Sequence, residues 1–289
     1  MSLPVTLQQS VADYFQGVIR AATPVEGGCI HRGQRIAFED GRVFFLKFNQ
    51  QEFRDHFQAE LAGLTLLKES AALRVPREVH LSPLDAEIPW LAMEWVEPGA
   101  RQNTFWSLLG QGLAQLHRHT REGFGLDLDN YIGSLPQSNR THATWADFWV
   151  EERIEPQVKI ARDHRYLERN ALGSFERLFH RAESLFPTEP PALIHGDLWG
   201  GNLLTDLSGS PVLIDPATYF GHREMEIAFM GLFDQIPASF FEAYQTDYPL
   251  ESGWRNRQDL CNLYPLMVHL NLFGASYRAS VMRTLHAYL

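Results

Sequence analysis

The sequence predicts an α+β fold with a small antiparallel-sheet N-terminal lobe (1–96) and a larger, mainly helical C-terminal lobe (97–289). Three observations carry this. The chain's 289 residues are about twice the ~150-residue size of a common domain, which suits two lobes sharing a cleft. Segments rich in β-formers concentrate before Glu97-Pro98-Gly99, and helical spacing dominates after it.

In chain order, Val5, Leu7, Val11, Phe15, Val18 and Ile19 fall near helical spacing and predict a helix over 5–21. Gly27-Gly28 breaks the pattern. RIAFED and VFFLKF then flank Asp40-Gly41, a turn pair that favours a hairpin ending at Lys47. Phe53, Phe57, Leu61, Leu64 and Leu67 predict a helix over 52–70, and REVHL and PWLAMEWV read as strands. Beyond residue 99, helices are expected over 104–120, 142–164, 168–186, 237–246 and 256–287. They are interrupted by short strands at Ala192-Leu193-Ile194 and at Pro211 to Ile214, and the turn-rich stretch 121–140 reads as a surface loop.

Composition narrows the function classes. A net charge of −10 disfavours an extended nucleic-acid or anionic-membrane surface. No run of 18 apolar residues occurs, and the first residues lack a basic stretch followed by an apolar one, so a soluble cytoplasmic protein is expected. The two cysteines, Cys29 and Cys261, lie far apart without metal spacing, which fits a reducing compartment. Walker-loop, zinc-helix and nucleophile-elbow patterns are missing. His117 and His119, near the end of a predicted helix, read as a C-terminal dipole contact or as solvated side chains.

The sharpest motif runs from His195 through Gly196, Asp197, Leu198, Trp199, Gly200 and Gly201 to Asn202, followed by Asp215 at the end of an apolar run. Asp197 and Asn202 stand five positions apart, as do the base and the Mg²⁺-binding amide of a kinase catalytic loop, and Asp215 is placed as a second Mg²⁺ ligand. A carboxylate orients the attacking hydroxyl, while a hard cation takes amide and carboxylate oxygens. An N-capping turn explains the His-Gly-Asp triplet alone, but not the whole set. Lys47 closes a strand and Glu60 follows thirteen residues later on the next helix, the order of a phosphate-binding lysine and its glutamate partner. Gly27 and Gly28 are candidates for a loop whose N–H groups cover phosphate. The run Trp90 to Val96, with Met93, Glu94 and Val96, offers backbone groups to adenine. Cys29, beside those glycines, is a candidate redox thiol, which would allow a monomer or a Cys29-linked homodimer.

At HGDLWGGN the sequence resembles the fructosamine kinase, or ketosamine 3-kinase, family within the aminoglycoside phosphotransferase and protein-kinase-like superfamily. GGCI, VFFLKFN, MEWV, WADFWVEERIEPQ, DPATYFGHREMEIA and HLNLFGASY extend the resemblance over nearly the whole chain. It implies a bilobal protein-kinase-like fold and ATP- and Mg²⁺-dependent phosphorylation of ketosamines at the 3-hydroxyl, a deglycation repair step on free or protein-bound adducts. It further implies Asp197 as base, Asn202 and Asp215 as metal ligands, Lys47 with Glu60 as the phosphate clamp, and Trp199 as the floor of the sugar site. His195 would brace the catalytic loop, and Glu224 and Glu226 would lock the segment after Asp215. Gly200 departs from the serine commoner in these kinases. A kinase for another amino-alcohol or aminoglycoside is the alternative, and a nucleotide-binding pseudokinase a more distant one.

Overall fold

The computed structural model describes residues 3–27 and 30–289. Gly28 and Cys29 lie outside the described residues, and with them the second glycine of the phosphate loop and the redox and disulfide expectations. The chain divides into two compact units, one of residues 1–105 with 203–215, the other of 106–202 with 216–289.

The first unit holds an antiparallel sheet of β1 (Ile19–Val25), β2 (Arg32–Phe38), β3 (Val43–Phe48), β4 (Val79–Leu81) and β5 (Trp90–Glu94), in the order β1-β2-β3-β5-β4. The opening helix, Val5–Phe15, ends short of the expected residue 21. Gln16 turns left-handed (φ 50°) and sends its N–H back to the helix, Gly17 follows, and β-branched Ile19 starts β1 against β2. The helix packs Leu7, Val11 and Phe15 into a core with Phe38, Phe44, Leu46 and Trp90, and the Phe15 and Phe44 rings stack at 4.5 Å. Asp40-Gly41 turns the chain from β2 into β3, with Gly41 at φ 92°. Helix Arg54–Ser70 buries Phe57, Glu60, Leu64 and Leu67 along one face. The hairpin Leu203–Thr205 and Pro211–Leu213 also belongs to this unit. Leu213 N–H donates to Arg74 O at 2.8 Å, and Gly99 N–H to Thr205 O at 3.0 Å. This return of the chain leaves no mark in composition, so the sequence boundary at residue 96 is silent about it.

The second unit is mainly helical around one large core that includes Trp145, Phe148, Trp149, Leu263 and Met267. The helix expected over 142–164 is Trp145–Phe148, a π-helical turn Trp149–Ile154 and Glu155–Asp163 in succession, and the wide turn ends two residues before Pro156, which has no N–H to donate. The predicted 256–287 helix is two, Trp254–Phe273 and Arg278–Ala287, parted at Gly274 (φ 91°). Within 121–140 lies a short hairpin, Asn130–Ile132 with Leu135–Gln137. Helix Arg223–Phe233 was not expected, because eight consecutive residues, Arg223 to Met230, are buried and the pattern has no polar face to reveal its period. Cys261 is buried on Trp254–Phe273, and burial pushes its thiol well above the usual range. No described helix is long and apolar enough to cross a membrane.

Candidate active site

In the first unit, Lys47, Glu60 and Asp215 meet. Lys47 Nζ, near the end of β3, donates to Glu60 Oε1 at 2.7 Å and to Asp215 Oδ1 at 2.6 Å. Lys47 and Glu60 are buried, whereas the Asp215 side chain is 42% exposed. Burial works against the Lys47 charge, but Asp215 and then Glu60 outweigh it and hold the ammonium above the ordinary lysine range. Burial also pushes Glu60 up, to about 7, against the pull of Lys47. Asp215 sits in the left-handed region (φ 59°), a strained backbone for a non-glycine residue and a common mark of functional positions.

The segment proposed for adenine lies at the end of β5. Met93 is buried. Glu94 N–H is engaged by Glu78 O at 2.8 Å and Trp95 N–H reaches Val43 O at 3.5 Å, but Val96 N–H meets no protein acceptor among the described residues. The Glu94 carboxylate turns away to Arg74 Nη2 and Arg77 N–H, each at 2.7 Å. At Gly27 (φ 114°) a β-carbon would meet nothing within 4 Å, so its backbone is open to approach.

In the second unit, strand Ala192–Ile194 leads into the loop bearing Asp197. Gly196 takes φ 84°, and a β-carbon there would stand 2.1 Å from Ala217 O, so only glycine fits. His195 is fully buried, and its Nδ1 accepts Asp197 N–H at 3.3 Å. Asn202 Nδ2 donates to Asp197 Oδ2 at 3.0 Å and to Asp197 O at 2.8 Å. The amide nitrogen thus faces Asp197, and the amide oxygen, the atom a hard cation takes, is on the other branch. Asn202 and half-exposed Asp215 each carry an oxygen donor of the kind that a hard cation such as Mg²⁺ takes. Trp199 is 43% exposed, hence no core residue, and its ring folds over Gly201, where a β-carbon would come within 2.3 Å of it.

Glu226 acts elsewhere than expected. Its carboxylate accepts Gly196 N–H at 2.8 Å and His195 N–H at 3.1 Å, so it holds the segment before Asp197 rather than the one after Asp215. His117 Nε2 lies 3.0 Å from the same carboxylate, and His117 Nδ1 lies 2.7 Å from Tyr244 Oη. His117 is therefore neither solvated nor a dipole contact but a buried brace. Glu226 stays below the usual carboxylate range because His117 and the loop N–H groups outweigh the cost of its burial. Glu224 pairs with Arg257 at 2.6 Å. Sequence reasoning missed Tyr244 altogether, and it read His117 by its place at a helix end, whereas the apolar neighbours Leu113, Ala114 and Leu116 were the signal for burial.

A fructosamine kinase family model matches residues 4–289. The chain is 36% identical over 270 residues to Arabidopsis thaliana protein-ribulosamine 3-kinase, covering 92% of this chain and 81% of the relative. It is 32% identical over 296 residues to mouse ketosamine-3-kinase, covering 92% and 95%. The crystal structure of a fructosamine-3-kinase homologue from Thermobifida fusca superposes with a TM-score of 0.87 at 33% identity, covering 99% of each chain. An aminoglycoside phosphotransferase in complex with ADP and hygromycin B shares the fold alone, with a TM-score of 0.61 at 16% identity over 98% and 99%. With its family motif match running almost end to end, the chain belongs to the fructosamine kinase family.

Proposed function

We infer that the protein is an ATP-dependent kinase that phosphorylates the 3-hydroxyl of ketosamines, the adducts of reducing sugars with amines. The observation that carries this is the buried Lys47 ammonium held by Glu60 and by half-exposed Asp215. The cation is buried and fixed in place, and one of its two carboxylate partners, Asp215, faces solvent, which suits a lysine that orients ATP phosphates. Asp197, anchored by Asn202 and by the backbone contacts of Glu226, would orient the 3-hydroxyl and take its proton as the oxygen bonds to the γ-phosphorus and ADP departs. Val96 N–H would receive the adenine edge. Asn202 and Asp215 would hold Mg²⁺, which neutralises charge on the phosphates when bound. Phosphate at the 3-position leaves by elimination, and water then hydrolyses the imine left at C1 and releases the amine, a repair reaction for free or protein-bound adducts.

The test is ATP turnover against a panel of ketosamines, aminoglycosides and choline, with the product position assigned by NMR. Turnover confined to ketosamines, with phosphate on O3, supports the reading; turnover confined to the other alcohols, or ATP binding without transfer, overturns it.

A further inference from the structure

Asp234 is placed against the rules of helix electrostatics. It is the C-terminal cap of Arg223–Phe233, where the helix dipole already presents negative charge, and a carboxylate there is disfavoured. No cation among the described residues pairs with it. Its one described hydrogen bond is accepted by Oδ2, from Gly200 N–H at 2.9 Å. A β-carbon at Gly200 would stand 2.8 Å from that oxygen, so a glycine here leaves room for this carboxylate. The contact ties the Asp234 carboxylate to Gly200, which stands three residues after the proposed base and one after Trp199. Both Trp199 and Phe233, the residue before Asp234, are large exposed aromatics, at 43% and 46%.

An exposed carboxylate held in place without a counter-ion, with aromatic faces as sequence neighbours of both contact residues, is the chemistry that recognises an organic ammonium. We propose that Asp234 is a specificity residue that binds the protonated amine of the ketosamine, with Gly200 as the residue that admits it. This rests on the ketosamine kinase reading. It adds a reason for preferring an amine adduct over a bare ketose: the charge lost from water on binding is matched by a carboxylate already anchored to the catalytic loop.

The test compares an N-alkyl fructosamine with the O-alkyl fructose ether, its uncharged counterpart, in wild type and Asp234→Asn. Asparagine keeps an acceptor for Gly200 N–H and removes the charge. The preference in kcat/KM for the amine should fall about tenfold or more in the variant, through KM. In wild type, KM for the amine should rise as pH passes the substrate's own pKa, and this limb should flatten in Asp234→Asn. Gly200→Ala, which crowds the carboxylate, should lower the same preference. An unchanged amine-to-ether ratio in Asp234→Asn, or a fall carried by kcat on both substrates alike, overturns the proposal while leaving ketosamine kinase activity intact. A wild type that turns over no ketosamine overturns both.

Discussion

The Lys47 and Glu226 clusters both organise charge, but in opposite ways. Around Lys47 a buried cation faces two carboxylates, one of them 42% exposed, so the group is satisfied yet open on one side. Around Glu226 a fully buried carboxylate spends its oxygens on His195 N–H, Gly196 N–H and His117, and Tyr244 closes the set behind. The first arrangement can exchange a partner for a ligand. The second can only hold shape. The difference separates residues whose loss should appear in kinetics from those whose loss should appear in stability as well.

The largest effect expected is on the hydroxyl's partner. Asp197→Asn should lower turnover by roughly 10²–10⁴, the usual worth of a general base, with ATP affinity near wild type by calorimetry. Turnover within threefold of wild type would remove Asp197 from that role. Because Asn202 anchors the same carboxylate, Asn202→Ala combined with Asp197→Asn should lose less than the two separate losses multiplied.

Next comes the buried brace. Glu226→Gln keeps one acceptor but points an NH₂ at backbone N–H groups, and should cost about 3 kcal/mol in chemical denaturation while also lowering kcat. The pH dependence has a defined sign. Glu226 is held below its ordinary 4.5, so its contribution is complete above 4.5 and is lost as pH falls through the lower folded value. The acid limb of the stability curve should therefore flatten in Glu226→Gln; an unaltered limb and an unaltered midpoint would merge the two clusters into one kind.

These predictions also mark what could be read from sequence. Asp197, Trp199 and Asn202 lie on one short loop, so covalent spacing alone announces them, and Lys47 and Glu60 are tied by a strand followed by a helix. Glu226 and Tyr244 come from two helices and His117 from the turn just past a third, and they meet only through packing, which leaves no local pattern. Helix Arg223–Phe233 shows the same limit, since burial on every side erases the period that would have revealed it. The hairpin 203–213 was half legible, its second strand expected and its first missed, and its place with residues 1–105 was invisible because Arg74 and Asp206 find each other across 132 positions.

Lys47→Met should raise the apparent ATP constant about tenfold or more and change the melting temperature little near pH 6. Glu60, already pushed up to about 7 by burial, rises further without the ammonium and takes up a proton rather than remaining a bare buried charge. A carboxyl raised in the folded state costs stability from its unfolded value up to its folded one; wild type stops losing near 7, where its Glu60 ionises, and the variant does not, so the variant should lose ground to wild type between pH 6 and 8. Melting curves at both pH values check this, and a large loss at pH 6 with unchanged ATP kinetics would assign Lys47 to the structural side of the comparison.

The smallest effect concerns Asp206, which joins the hairpin to Arg74 in the same unit as Lys47 yet resembles the Glu226 cluster in kind. Burial raises its carboxyl, but Ser208, Ser210 N–H and Arg74 together outweigh that and hold it at about 2. Its stabilisation is thus present above its ordinary 3.8 and fades as pH falls toward 2. Ser208 and Ser210 contribute more than Arg74, so Arg74→Met should leave most of the acid limb in place, whereas Ser208→Ala should shift it further. Arg74 also holds Glu94 at 2.7 Å, beside Trp95 and Val96, so Arg74→Met should loosen the proposed adenine edge and raise the apparent ATP constant slightly at neutral pH. Acid titration of both variants, followed by tryptophan fluorescence, ranks the two partners, and a larger shift for Arg74→Met would make the ion pair rather than the serine turn the hold on Asp206.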